Sequence, residues 1–127
     1  MIRCSGSCSL RDLSITQTLT GVKVEGKPEW IVKITNNCAC VQLNVILNCK
    51  GFQSVEKIDS SVLRNSSGRC LVNNGQSVYG EDAVQFKYAS DKQFPFTPIS
   101  SQIACSWYYV VCLTDYNPLT IHCLFIS

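Results

Sequence analysis

The chain has 127 residues, of which 46% are hydrophobic and 16% are charged, and it carries a net charge of +2 at pH 7. This composition is typical of one globular domain and excludes a disordered chain. Because the positive charges are few and form no run, neither nucleic-acid binding nor membrane insertion is predicted.

The first seven residues, MIRCSGS, lack the basic and apolar pattern of a secretory signal. We therefore interpret residues 1–7 as a remnant N-terminal segment and expect that a signal peptide is missing from the sequence.

Alternation of apolar and polar residues predicts strands along most of the chain. The residues that share one face of each predicted strand, in chain order, are Ile15, Gln17 and Leu19; Trp30, Val32 and Ile34; Val41, Leu43, Val45 and Leu47; and Val84, Phe86 and Tyr88. The opposite face of the third strand carries Gln42, Asn44 and Asn48, and that of the fourth carries Gln85 and Lys87. Strands with one solvent-exposed face are typical of antiparallel sheets.

Turn signals separate these segments. Asn74-Gly75 stands between two short apolar runs and predicts a hairpin, and Asp59 could cap a single helical turn over DSSVLR. The fold class that follows is all-β, a small antiparallel β-sandwich stapled by disulfides.

The last segment, residues 107–127, is mostly apolar but is interrupted by Asp115, Asn117, Pro118 and His122. It could be a membrane span, a further pair of core strands or an appended tail. A span is disfavoured because Asp115 near its middle would cost about 2.5–3.5 kcal/mol. We expect a tail that is foreign to the domain.

Nine cysteines raise four alternatives: metal ligands, a redox pair, a nucleophile or disulfides. Zinc sites use Cys-x-x-Cys-type pairs or histidines, whereas Cys38 and Cys40 are one residue apart and the only histidine is His122. No redox Cys-x-x-Cys occurs, and no histidine before residue 122 could activate a cysteine or a serine. We therefore expect disulfides, with no metal, no cofactor and no catalytic residue.

Strand geometry restricts the pairing of these cysteines. Cys40 and Cys49 at the two ends of one strand would lie about 30 Å apart, whereas the Cα atoms of a disulfide lie about 4.4–6.8 Å apart. Cys38 and Cys40 would lie on one face with parallel side chains. Cys38, Cys40 and Cys49 are therefore each expected to bond to a cysteine outside this stretch, which leaves six possible connectivities. The available partners are Cys8 (or Cys4), Cys70 and Cys105.

Disulfides persist in oxidising compartments, so we expect a protein secreted to the extracellular space. Asn65-Ser66-Ser67 is a glycosylation sequon in a polar loop, and Asn65 is the expected site.

Four stretches carry a family resemblance: CSLRDLSITQTLTG, GKPEWIVKITNNCACVQLNVILNCKGFQSVEKID, CLVNNG and FKYASDKQFPFTPISSQIACS. In this order they resemble the plant TAPETUM DETERMINANT family of small secreted cysteine-rich proteins. The resemblance covers residues 8–106 and implies that this range is the domain and that residues 107–127 lie outside it.

The resemblance also implies which cysteines belong to the family set. These are Cys8, Cys38, Cys40, Cys49, Cys70 and Cys105, with Cys4, Cys112 and Cys123 as extras. The founding member is a ligand for a leucine-rich-repeat receptor kinase that specifies cell fate in the anther. The resemblance therefore implies a non-catalytic signalling ligand with a receptor kinase ectodomain as its partner.

A ligand needs exposed anchors, which are often aromatic. The loop DKQFPFTP offers Phe94, Pro95 and Phe96, and Phe52 and Tyr79 are further candidates. The alternative is that the phenylalanines close the end of the sandwich.

Two other functions are alternatives to a signalling ligand. An extracellular cell-wall carbohydrate-binding module would use Trp30 and the tyrosines as stacking platforms. A hydrolase would need two carboxylates together, and no pair is expected to meet, since the adjacent Glu81 and Asp82 would face opposite ways in a strand.

Overall fold

The computed structural model describes residues 8–80, 83–105, 109–114 and 121–126, the last two ranges as backbone. The predicted remnant 1–7 with Cys4, the pair Glu81 and Asp82, and the side chains of Cys112 and Cys123 lie outside the described residues. The strands in the described ranges are β1 (Leu13–Val24), β2 (Lys27–Asn36), β3 (Val41–Asn48), β4 (Leu63–Ser66), β5 (Arg69–Val72), β6 (Val84–Ala89), β7 (Thr97–Cys105), β8 (Tyr109–Thr114) and β9 (Ile121–Ile126). Short 3-10 helices occupy Leu10–Asp12 and Asn73–Gly75.

The strands form two antiparallel sheets. The first has the order β1-β2-β6 and the second the order β4-β5-β3-β7-β8-β9. One buried cluster contains side chains from both sheets, including Val32 and Phe86 from the first and Leu47 and Val72 from the second. The predicted all-β, disulfide-stapled antiparallel fold is confirmed.

The first sheet follows the simple alternation of its sequence. Trp30, Val32 and Ile34 of β2 lie opposite Tyr88, Phe86 and Val84 of β6. Val32, Ile34, Phe86 and Tyr88 are buried, whereas Lys33, Gln85 and Lys87 are exposed. Trp30 is half-buried against the core, and its buried Nε1 has no hydrogen-bond partner in the part of the chain that the structure describes. The faces predicted for these two strands are confirmed.

Strand β3 departs from its predicted alternation. Asn44 adopts a left-handed backbone with φ 49°, and the pairing of β3 with β7 shifts register between Leu43 and Ile46. Such a bulge inserts one residue and exchanges the two faces of the strand beyond it. Gln42 is therefore completely buried on the same side as Val45 and Leu47. The prediction that Gln42 faces solvent is wrong.

The predicted hairpin at Asn74-Gly75 is also wrong. The tight turn lies between β4 and β5 at Ser67 and Gly68, which both have positive φ as a two-residue turn of type I′ requires. Asn73–Gly75 instead forms a single 3-10 turn, after which Val78 makes an isolated bridge to Gln42. The residues after Asp59 form a turn, with the Ser61 amide donating to the Asp59 side chain.

Within the last segment, residues 109–114 and 121–126 extend the second sheet. Strand β8 pairs with β7, and β9 pairs with β8. Whether this segment belongs to the domain or is an appended tail stays a prediction. Among the described residues, no helix has the length and apolar character required to cross a bilayer.

Candidate functional site

Three disulfides join the family cysteines within residues 8–105. Cys8 bonds to Cys38, Cys40 bonds to Cys105, and Cys49 bonds to Cys70. Their Cα atoms are 5.6, 4.5 and 5.9 Å apart, within the range of a disulfide. This is one of the six connectivities left open by strand geometry.

The sulfur atoms of Cys8, Cys38 and Cys40 lie within 4.8 Å of one another. A cysteine binds a metal as a thiolate, and each of these sulfurs is instead bonded in a disulfide. In the oxidised protein the cluster therefore fixes the N-terminal segment and the β2–β3 connection beside the end of β7.

Three of the predicted partner-binding residues belong to an aromatic cluster. The ring of Phe52 lies 5.2 Å from Tyr88, 5.2 Å from Phe94 and 4.9 Å from Phe96, with steep interplanar angles. Phe96 is only 6% exposed, and Phe52 and Phe94 are half-buried. These rings close one end of the sandwich, so Phe96 cannot present its ring to a partner. Pro95 between them is exposed.

Hydrogen bonds hold the loop that carries Pro95. The Tyr88 hydroxyl donates to Gln17 Oε1 and accepts from the Phe94 amide, and Gln17 Nε2 donates to the Phe94 carbonyl at 2.6 Å. Burial raises the pKa of the Tyr88 hydroxyl. These contacts fix Pro95 beside β1 on a loop that needs little ordering when it docks.

Exposed apolar side chains lie toward the same end of the first sheet, on both of its edges. Leu19 and Val22, near the turn between β1 and β2, are each more than half exposed, and Val55 is 44% exposed. The Val55 amide donates to the carbonyl of Ala89, and Ala89 lies opposite Glu29 near the start of β2. We call Leu19, Val22, Val55 and Pro95 the hairpin-end surface.

Of the hairpin-end surface, sequence analysis singled out only Pro95. The alternation correctly placed Leu19 on the face of Ile15 and Gln17. The alternation could not show that Leu19 is exposed, because the sequence of one strand does not say which other elements cover its end.

Two carboxyl groups meet on the first sheet. Glu29 is 6% exposed, and its Oε1 accepts a hydrogen bond from Thr20 Oγ1 at 2.7 Å. Glu56, on the segment between β3 and β4, forms a side-chain hydrogen bond with Glu29, and its buried Oε1 has no other hydrogen-bond partner among the described residues. The expectation that no carboxylates pair is wrong. The segment carrying Glu56 pairs with Ala89 across a long sequence separation, and no local pattern predicts that.

The pKa values of the two carboxyl groups are shifted in opposite directions. Hydrogen bonds from Thr20 and then from Glu56 hold the pKa of Glu29 below its ordinary value. Burial, followed by the hydrogen bond to Glu29 and the charge of Glu29, raises the pKa of Glu56, while the nearby Lys87 opposes that rise. The pair therefore shares one proton over an intermediate range of pH.

Tyr79 lies away from the hairpin-end surface. It is 53% exposed and lines an open groove of about 630 Å³. The groove runs between the start of β6 and the segment that follows β5. Gln76 and Gln85 also line it, and sequence analysis did not single out either.

Comparison with known proteins identifies the family. The family model described as "Tapetum determinant 1, C-terminal" matches residues 9–106, well over half of the chain. The chain belongs to the tapetum determinant family. The resemblance seen in the sequence is thus confirmed, and the tapetum determinant family is one of plant developmental signalling proteins.

Two proteins similar to this chain come from Arabidopsis thaliana. TPD1 protein homolog 1 is 30% identical over 101 residues, which is 77% of this chain and 56% of that protein. The uncharacterized protein At1g05835 is 33% identical over 84 residues, which is 64% of this chain and 65% of that protein. The chain thus spans less than two thirds of the length of each relative. No solved structure matches it significantly.

Proposed function

We propose that this protein is a secreted, non-catalytic signalling ligand that binds the ectodomain of a plant leucine-rich-repeat receptor kinase and directs cell fate or development. Membership of the tapetum determinant family carries this proposal. The receptor role of the founding member is what the family resemblance implies for this chain.

The disulfides support secretion. Three disulfides within a small domain persist only where the environment is oxidising, as in the extracellular space. Asn65, the predicted glycosylation site, is exposed on β4 next to the β4–β5 turn.

The carboxyl pair supports a non-catalytic role. Glycosidases hold two carboxyls about 5–9.5 Å apart so that the scissile bond or a water fits between them. Glu29 and Glu56 are hydrogen-bonded to each other, and Glu29 is almost completely buried. A glycosidic bond has no space between them.

The hairpin-end surface is the contact that we assign to the receptor. It combines three of the four large hydrophobic side chains that are exposed in the described residues. Large apolar side chains exposed at one end of a sheet are candidates for an interaction site. The loop with Pro95 is fixed by Tyr88 and Gln17, so docking there would cost little conformational entropy.

Titration calorimetry tests the proposal. The full chain, made in a secretory host and confirmed free of unpaired thiols, is titrated into a leucine-rich-repeat ectodomain of the family's receptor type. We expect a Kd on the order of 1 μM or tighter.

Variants localise the contact. Combined Leu19→Ser and Val22→Ser substitutions should weaken binding by about tenfold or more, as loss of central apolar contacts does. Tyr79→Ser is the matched control, because Tyr79 is equally exposed but lies near Val84, at the other end of β6 from Ala89. A flat titration with folded protein would refute the receptor role. Equal effects of both variants would refute the assigned surface.

A further inference from the structure

The groove beside Tyr79 has an apolar floor and a polar rim. Half-buried Leu43, Val62 and Val84 form the floor. Exposed Gln76, Tyr79 and Gln85 stand at the rim. The volume of about 630 Å³ falls within the range of small-molecule sites.

The rim side chains have unused hydrogen-bonding groups. The side-chain amides of Gln76 and Gln85 and the hydroxyl of Tyr79 make no hydrogen bond to any described residue, whereas Asn73 Nδ2 donates to the Ser77 carbonyl. An amide both donates and accepts, as a sugar hydroxyl does. Two free amides next to an exposed ring therefore match a ligand that carries many hydroxyls on an apolar ring.

The charge of the groove limits the class of ligand. None of the described residues that line it is ionisable at neutral pH, while Glu81 and Asp82 fall in the gap of the described chain between Gly80 and Ala83. Because the described part of the lining contains no cation, it offers no charged partner for a carboxylate or phosphate.

The backbone that carries Tyr79 is held firmly. The preceding residue, Val78, donates to the Gln42 carbonyl at 2.6 Å and accepts from the Gln42 amide at 3.3 Å. Asn36 Nδ2 also donates to the Val78 carbonyl, at 3.0 Å. A ring on such a fixed backbone binds without the cost of ordering a loop.

We propose that this groove binds a neutral oligosaccharide, with the ring of Tyr79 stacked on a sugar face and the amides of Gln76 and Gln85 bonded to its hydroxyls. This site lies apart from the hairpin-end surface. It does not depend on the receptor proposal, and either one can fail without the other.

Nuclear magnetic resonance titration of the full, isotope-labelled chain tests the site. The probes are cellohexaose and a xyloglucan heptasaccharide, with an oligogalacturonate of similar length as the charged comparator. We expect saturable shifts of the backbone amides of Gln76, Tyr79 and Gln85, with a Kd on the order of 1 mM for a neutral probe.

Variants separate stacking from other effects. Tyr79→Ala should weaken binding about tenfold, since it removes the stacking ring, whereas Tyr79→Phe keeps the ring and should stay within about threefold. Leu19→Ala, an equally exposed apolar residue outside the groove, should leave the Kd unchanged.

Three results would overturn the proposal: no shifts for a folded chain up to about 10 mM of either neutral probe, preference for the oligogalacturonate, or a Kd that Tyr79→Ala does not alter. If Tyr79→Ala instead weakened only receptor binding, the groove would be a protein contact.

Discussion

The buried amide of Gln42 links the two sheets, and its replacement by methionine tests that link. The substitution keeps the side-chain length and removes three hydrogen bonds. Gln42 Nε2 donates to the Ser9 carbonyl at 3.0 Å and to Asn36 Oδ1 at 3.3 Å, and its Oε1 accepts from Ser101 Oγ at 2.7 Å. Asn36 ends β2 in the first sheet, and Ser101 lies on β7 in the second.

The magnitude follows from these contacts. Each hydrogen bond contributes about 0.5–1.5 kcal/mol net. The Ser9 carbonyl keeps a bond from the Asp12 amide, and Asn36 Oδ1 keeps one from the Cys38 amide. Because neither acceptor is left alone, we expect the free energy of unfolding to fall by about 2–3 kcal/mol. The melting temperature should drop by about 10 °C.

Urea unfolding with intact disulfides measures this change as a shift in midpoint at constant slope. The Ser101→Ala variant and the double variant complete a cycle, in which we expect a coupling of about 1 kcal/mol.

Gln102→Met is the matched control. Gln102 is also a glutamine of this sheet that accepts a hydrogen bond, from Asn44 Nδ2 at 3.0 Å, but this bond is exposed to solvent. It should cost less than about 0.5 kcal/mol. If Gln42→Met cost no more than this control, the buried network would not join the sheets as argued.

Three further predictions concern the core, the carboxyl pair and a disulfide. Phe52→Ala should lower the free energy of unfolding by about 3 kcal/mol, because Phe52 contacts three rings; a loss below about 1 kcal/mol in urea unfolding would contradict the packed cluster. Glu56 has a raised pKa when folded, so its contribution to stability is complete below the pKa of an ordinary glutamate, about 4.3, and is lost as pH rises through the folded value. Glu56→Gln should therefore reduce the loss of melting temperature that occurs as pH rises through the pKa of Glu56. The loss of melting temperature toward acid pH, which comes from the lowered pKa of Glu29, should remain. A dependence of melting temperature on pH that is unchanged by the substitution would show that no proton is shared. Replacing Cys49 and Cys70, which are 21 residues apart, by alanine should cost about 3 kcal/mol in thermal unfolding, and a cost near zero would show that this bridge adds no constraint.

The sequence predicted those parts of the fold in which one rule holds along a whole strand. In β2 and β6 the alternation continues without a bulge, so the buried positions Val32, Ile34 and Phe86 could be read directly. In β3 the left-handed backbone of Asn44 exchanges the two faces of the strand, and one polar residue among apolar neighbours does not predict a bulge.

Sequence patterns predicted less of the candidate sites than of the fold. Phe94 and Phe96 alternate equally well as exposed anchors or as core, and only the position of Phe52 decides between them. Glu29 and Glu56 meet through a pairing of distant segments, which has no local signature. The β4–β5 turn does have a local signature, because Ser67-Gly68 is a common turn dipeptide, but Asn74-Gly75 is the stronger hairpin signal of the two.

The distribution of the disulfides has a consequence for how the molecule opens. None of the six cysteines that are bonded within residues 8–105 lies on β1, β2 or β6, so none of these three disulfides crosses the first sheet. The bridge between Cys8 and Cys38 stands near the end where Leu13 pairs with Asn36, far from the β1–β2 turn. Local opening should therefore begin at that turn and spread toward the bridge.

Because these three disulfides lie outside the first sheet, one hydrogen-exchange experiment can follow partner binding and disulfide reduction on different strands. Amides near Leu19 and Val22 should exchange quickly in the free protein and slow down when a receptor covers the hairpin-end surface. Amides of β3 and β5 beside the bridge from Cys49 to Cys70 should respond to reduction instead. One sheet thus reports occupancy by a partner, and the other reports the oxidation state of the chain.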